Sequence, residues 1–205
     1  MALEPGGYAD KLGTRYEGRW VASQLILLLA EQVSSVQIEA VGDTERGVDL
    51  WVTRNNGIRI AQQCKVRNGH ANSWSPADLE SSGVLGHAES QLQSDPSCLF
   101  QFVTAIPSST LEELCRSARQ SSGDPKGYYR HQVYDVGNQR RKVFADICTR
   151  LGHRIEDPID LARAYDFLRR FEFNVWPDNT AATDDLRHLA FTTVDGSPDS
   201  VLAAL

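Results

Sequence analysis

No CxxC pair occurs in this chain of 205 residues; Cys64, Cys98, Cys115 and Cys148 are widely spaced, so neither a zinc knuckle nor a disulfide framework is expected. Reduced, mostly buried thiols are the expectation instead. A long apolar run is also missing: the longest, residues 25–30, falls far short of the roughly 20 residues that a membrane helix needs. No basic start followed by an apolar segment marks a secretory signal, and the expected setting is cytoplasmic, with no membrane partner. There is no GxxxxGK[ST] phosphate loop, so no ATP-binding module lies within these residues, and no internal repeat or low-complexity tract. An excess of positive charge is lacking too. A net charge of −6 and a pI near 5.4 give no global attraction to nucleic acid and count against a passive DNA-coating protein. They leave room for an enzyme that gathers carboxylates to hold cations.

What is present is ordinary for a globular protein, with 41% hydrophobic and 23% charged residues. The Gly-rich opening, residues 1–13, reads as an arm into a helix over 14–31 that carries Trp20, Val21, Leu25, Leu28 and Leu29 at helical spacing. Residues 33–41, 48–54 and 58–66 alternate in period two and are rich in β-branched side chains, which predicts three strands, the last two a hairpin. A helix over 76–95 is weakened by Ser81-Ser82-Gly83 and Gly86. Residues 98–106 read as a buried strand, and Ser109 with Glu112 has the spacing of a capping box that opens the next helix.

Turn formers at 121–125 suggest a boundary, which gives a first domain over 1–120 and a mainly helical extension over 121–205. Helices are predicted over 138–151, from Asp157-Pro158 to Arg170, and over 183–190, with a possible strand at 171–176. A last helix opened by Ser197-Pro198 stops after about two turns, which suggests a connector to a larger C-terminal part. The fold class expected is α/β: a restriction-endonuclease-like mixed sheet of about four strands flanked by helices.

The hairpin RGVDLWVTRNNGIRIAQQCKVR carries the chemistry. If Asn55-Asn56-Gly57 forms a three-residue loop with Gly57 in the left-handed conformation, Arg54 faces Ile58. Counting back, Trp51 then faces Ala61, Asp49 faces Gln63 and Gly47 faces Lys65. Directly opposed residues share a sheet face, so Asp49, Gln63 and Lys65 emerge together, while Val48, Leu50, Val52, Ile58, Ile60, Cys64 and Val66 collect on the other. A two-residue Asn56-Gly57 loop would shift the pairing by one and set Asp49 among aliphatic neighbours, where an unpaired charge is costly.

An acid, an amide and an amine on one face suit phosphodiester hydrolysis. Asp49 supplies a hard oxygen ligand for Mg²⁺ or Mn²⁺, Gln63 adds its amide oxygen, and the backbone carbonyl of Cys64 lies between them. Lys65 orients the attacking water and steadies charge developing on the phosphate. Glu17, three residues before Trp20 and seven before Gln24, shares their helix face and adds a carboxylate; Asp43 and Glu45 are reserve ligands.

Glu17 on the first helix, then GVDLWV, then a hairpin into QQCK resembles the Mrr-like branch of the PD-(D/E)xK nuclease superfamily, where the second acidic position is often Gln. The opening GGYADKLGTRYEGRW is similar to the double-strand DNA nuclease effector of bacterial antiphage proteins, the CBASS nucleases and the Avs-type STAND ATPases. The resemblance covers roughly residues 6–120. It implies a Mg²⁺-dependent endonuclease acting on double-stranded DNA, silent until copies assemble as a dimer or tetramer. It maps Asp49, Gln63 and Lys65 onto D…(D/E/Q)xK and Glu17 onto the helical Glu. Gln63 departs from the carboxylate form, which implies weaker metal binding, a single metal or an inactive scaffold.

Bland readings stand beside these. His70, His87, His131, His153 and His188 have no metal-ligand spacing and read as surface or capping residues. Cys64 should point into the core rather than act as a nucleophile. Arg140-Arg141-Lys142 and Arg169-Arg170 read as solvated helix faces before phosphate contacts, and Trp74 as a loop anchor or a DNA-facing wedge. The rival function is a catalytically degraded nuclease fold that serves as an interaction or DNA-binding module. RNA as substrate is also left open.

Overall fold

The computed structural model describes residues 5–38, 46–66, 72–177 and 180–193, with 5–12 and 180–182 as backbone alone. Asp43, Glu45, His70 and the Ser197-Pro198 helix lie outside the described residues. The chain is an α/β protein built on one mixed five-stranded sheet, in spatial order β1 (Val33–Ile38), β2 (Leu50–Arg54), β3 (Arg59–Lys65), β4 (Leu99–Thr104) and β5 (Phe171–Val175). β1, β2 and β3 pair antiparallel in succession, and β4 joins β3, and β5 joins β4, in parallel.

Helix α1 (Pro5–Leu29) starts nine residues before the expected position 14, and residues 5–13 of the Gly-rich opening are its first turns rather than an arm. Pro5 sits where a helix tolerates proline best, since its missing N–H would go unbonded there anyway. The helix ends at Leu29 because Glu31 turns left-handed, at φ 55°, and its carbonyl accepts from Asn55 Nδ2 at 2.7 Å. The predicted helix over 76–95 is two, α2 (Pro76–Ser81) and α3 (Val84–Ser94). Gly83 between them adopts φ +79°, a conformation that breaks helical continuity and that glycine takes without strain.

Both faces of the sheet are covered at its centre, while the edge strand β1 is largely exposed. On one, α1 lays Tyr16 and Trp20 against Leu50, Val52, Cys64 and Val103. On the other lies the larger core, where Trp51, Ala61, Phe100 and Phe102 meet α2, α3, α4 (Ser109–Gln120), α6 (Asn138–Arg150) and α7 (Pro158–Arg170). Each such fully buried large side chain contributes about 1.5–3 kcal/mol of transfer free energy. Val48 was expected beside Leu50, but packs on this second core, because Gly47 at φ +78° turns the chain before regular pairing begins at Leu50. The first turn of α4 is also displaced by one: Ser108 is the cap, its N–H donates to Glu112 Oε1 at 2.6 Å, and its hydroxyl donates to the Trp74 carbonyl instead.

The stretch after 121 is mainly helical, with α5 (Pro125–Tyr128), a π-helical turn (Tyr129–Tyr134), α6, α7 and α8 (Thr180–Thr193). It also supplies β5, hydrogen-bonded to β4, and most of the aromatic residues around Phe144 and Phe171, so the large core is continuous across 121–125. Helix α8 packs Leu186 and Ala190 on Ile26 of α1. Among the described residues no helix is long and apolar enough to cross a membrane.

Candidate active site on the β2–β3 hairpin

The hairpin has the pairing that the loop chemistry predicts. Gly57 is left-handed at φ +84°, Gly57 N–H donates to the Arg54 carbonyl at 2.8 Å, and Arg54 N–H donates to the Ile58 carbonyl at 2.9 Å. From there Thr53 pairs with Arg59, Val52 with Ile60, Trp51 with Ala61 and Leu50 with Gln62. The regular ladder ends there: Asp49 N–H donates to the Gln62 carbonyl at 2.9 Å and Asp49 Oδ2 accepts from Cys64 N–H at 2.6 Å, so the expected Asp49–Gln63 and Gly47–Lys65 pairs are not part of the ladder. Gln63 and Lys65 share a face of β3, with Thr104 beside Lys65 on the parallel neighbour, and the Asp49 carboxylate is tied to the N–H of Cys64 between them in sequence.

That face is not the hydrophilic one. It continues through Trp51, Ala61 and Phe102 into the large core, so the expectation of a greasy side opposite a polar side is corrected to two greasy sides. Gln63 is only 3% exposed, and its neighbour on β4 is Phe102. Burial pushes the Asp49 carboxyl above its ordinary value, opposed by the hydrogen bond from Cys64 N–H and by the nearby charge of Lys65.

Gln63 Oε1 is buried and has no hydrogen-bond partner, while Nε2 stands 3.2 Å from His87 Nδ1. An orphaned buried amide oxygen is uncommon, because an unmade hydrogen bond costs about 1–3 kcal/mol. An open oxygen on the residue next to Cys64, whose N–H holds the Asp49 carboxylate, fits a hard cation or an ordered water. The donor set is lean in charge. Among the described residues, no three of His, Cys, Asp and Glu come together as a metal-binding group, and what Cys64 presents to Asp49 is its N–H. A cation would rest on one carboxylate, one amide oxygen and backbone or solvent oxygens. Glu17 is half-buried on α1, and its charge, after that of Asp49, contributes to raising the Cys64 thiol well above its ordinary value, where burial is the first cause. It thus stands within electrostatic range of Cys64, on the α1 side of the sheet.

His87 belongs to this site, although its spacing gave no reason to select it. It projects from α3 over Gly47: a Cβ at Gly47 would lie 2.0 Å from its Nδ1, and one at Gly83 would lie 3.1 Å from its Cε1. Burial, then the charges of Lys65 and Arg46, lower its pKa, which favours the neutral ring. The four arginines of the two basic runs are engaged within the fold. Arg140 pairs with Glu113 at 3.0 Å, Arg141 lies over the Tyr134 ring, Arg169 over Tyr165, and Arg170 holds Asp166 and the Leu92 carbonyl. Trp74, 6% exposed, is a core anchor whose Nε1 donates to Thr104 Oγ1 at 2.7 Å. Cys98, Cys115 and Cys148 are free, buried and pushed up to about 11, 12 and 12, consistent with inert thiols.

A cleft of about 430 Å³ lies elsewhere, between α3 and α7, where His153 faces Glu89 at 3.6 Å and Arg170 is already bonded. Its polar groups are matched to one another, and it reads as a packing seam. Compared with models of known protein families and with curated proteins, the chain matches none.

Proposed function

We propose that this chain is a metal-dependent endonuclease of the PD-(D/E)xK kind acting on double-stranded DNA, with Asp49, Gln63 and Lys65 at its centre. The observation that carries the reading is the buried, unpartnered Gln63 oxygen on the strand whose next residue, Cys64, holds the Asp49 carboxylate by its N–H, with Lys65 two residues along the same strand face. Mg²⁺ or Mn²⁺ bound there would polarise the scissile phosphate and lower the pKa of water. Asp49 Oδ1 and Gln63 Oε1 would hold the cation, Oδ2 being kept in place by Cys64 N–H. Lys65 would orient the attacking water and balance charge on the phosphate. Glu17 would add negative potential from α1. Assembly into a dimer or tetramer would bring one such site to each strand of a duplex, and the resemblance of residues 6–120 to antiphage effectors makes a cytoplasmic defence protein the fitting parent.

The test is supercoiled-plasmid cleavage by purified protein with Mg²⁺ or Mn²⁺. Cleavage is expected, and Lys65→Ala and Asp49→Ala should each lower its rate at least about 100-fold. Cutting that survives both substitutions would end the assignment.

One observation favours a second reading, a catalytically silent scaffold that binds DNA or protein: the charge of Asp49 is disfavoured by burial and Gln63 brings none to help it hold a cation. A thermal upshift with Mn²⁺ that Asp49→Ala abolishes favours the enzyme; no upshift in the wild type favours the scaffold.

A further inference from the structure

We propose that His87 is a positioning residue that fixes which end of the Gln63 amide faces the catalytic centre; the inference rests on the metal-dependent reading above. A carboxylate offers a cation two equivalent oxygens in any rotamer. An amide has an oxygen end and an NH₂ end of nearly the same shape, and the wrong end repels a cation. A glutamine standing in for an acid therefore needs something to orient it.

His87 supplies this. Gln63 Nε2 lies 3.2 Å from His87 Nδ1, and since an amide nitrogen only donates, Nδ1 is the acceptor. That hydrogen bond consumes the NH₂ end and leaves Oε1 at the opposite end, buried and unpartnered. The ring is seated for the purpose by two glycines with positive φ from separate segments. Gly47, at φ +78°, lets the ring approach where a Cβ would lie 2.0 Å from Nδ1, and Gly83, at φ +79°, ends beside Cε1. Three segments of chain thus converge on one hydrogen bond whose consequence is an oriented oxygen.

The experiment is Mn²⁺ titration of the full chain by calorimetry at one pH, on the wild type, His87→Phe, His87→Asn, Gln63→Glu and the double variant Gln63→Glu/His87→Phe. His87→Phe keeps a ring but loses the acceptor, and should weaken Mn²⁺ binding about 10-fold or more, the scale on which partners of metal ligands act. His87→Asn, which keeps an acceptor near the Nδ1 position, should recover most of that loss. In the Gln63→Glu background, His87→Phe should change affinity by less than about twofold, because a carboxylate needs no orienting. Equal weakening in both backgrounds, or none in the wild-type background, overturns the proposal. A wild type that binds no Mn²⁺ overturns the metal-dependent reading itself, and the two failures are thereby distinct. ¹⁵N NMR of the wild-type imidazole reads the same hydrogen bond without a variant: a ring protonated at Nε2 with Nδ1 accepting is expected, and a proton on Nδ1 would sink the idea.

Discussion

Gln62 and Gln63 are neighbours on one strand, 2% and 3% exposed, and they are opposites. Gln62 faces α1, where its Oε1 accepts from Trp20 Nε1 at 2.9 Å and its Nε2 donates to Gln101 Oε1 at 2.6 Å. Gln63 faces the larger core, holds His87 by one end and nothing by the other. A buried amide whose ends are both bonded is a strut: it ties helix to sheet and strand to strand. An amide with an open oxygen carries an uncompensated desolvation cost, which a bound cation or an ordered water would relieve.

The largest effect separates the two by stability. Gln62→Leu strands Trp20 Nε1 in the interior and removes the partner of the half-buried Gln101 Oε1, and should cost about 2–3 kcal/mol in urea unfolding. Gln63→Leu removes a group that is already unsatisfied, so the metal-free protein should change by less than about 1 kcal/mol while Mn²⁺ stabilisation disappears. Equal losses at both positions would erase the distinction. Next comes Gly47→Ala. Its Cβ would meet the His87 ring and its φ of +78° strains any L side chain, so a loss of about 1–3 kcal/mol is expected, together with a smaller Mn²⁺ thermal shift as the ring leaves Gln63. A stability loss with an undiminished shift would show that the ring seat serves packing only.

How much of this was legible depends on the range over which each feature is encoded. The register of β2 against β3 is written in local signals: a turn, a glycine in the left-handed position and alternating apolar residues on both strands. Helices α6 and α7 announce themselves through Gly152 beyond one end and Asp157-Pro158 at the next start, and Asp157 does accept from Ile159 N–H at 2.8 Å. His87 was illegible because it lies 24 residues from Gln63, on a helix whose spacing marks no ligand, and its role depends on how α3 crosses the sheet. The place of β5 was equally hidden. Parallel pairing of Phe100 with Phe171 and Thr104 with Val175 joins segments far apart in sequence, and no local pattern encodes which strand a parallel neighbour will choose. Both faces of β3 being buried also follows from that late strand and its helices, which is why alternation alone suggested one polar side.

The smallest effect tests whether the Gln63 face, unlike the Gln62 face, holds a charge against its preference. Asp49 has its carboxyl raised above 3.8 by burial, despite Cys64 N–H and Lys65. From the unfolded value up to the folded one, the native protein therefore holds more protons than the unfolded chain, and stability falls as pH rises through that interval. The loss persists at neutral pH, where the charge is present in both states but desolvated in one. In metal-free protein, Asp49→Asn keeps an acceptor for Cys64 N–H and discards the charge, so it should be at least as stable as the wild type at pH 7 and should lack that decline above pH about 4. Saturating Mg²⁺ should reverse the order, since only the wild type gains a ligand for its carboxylate. Urea midpoints at pH 4 and 7, with and without Mg²⁺, decide it: an Asp49→Asn protein less stable than wild type without metal would mean that Lys65 and the backbone already satisfy the carboxylate, and that this face, like that of Gln62, is closed.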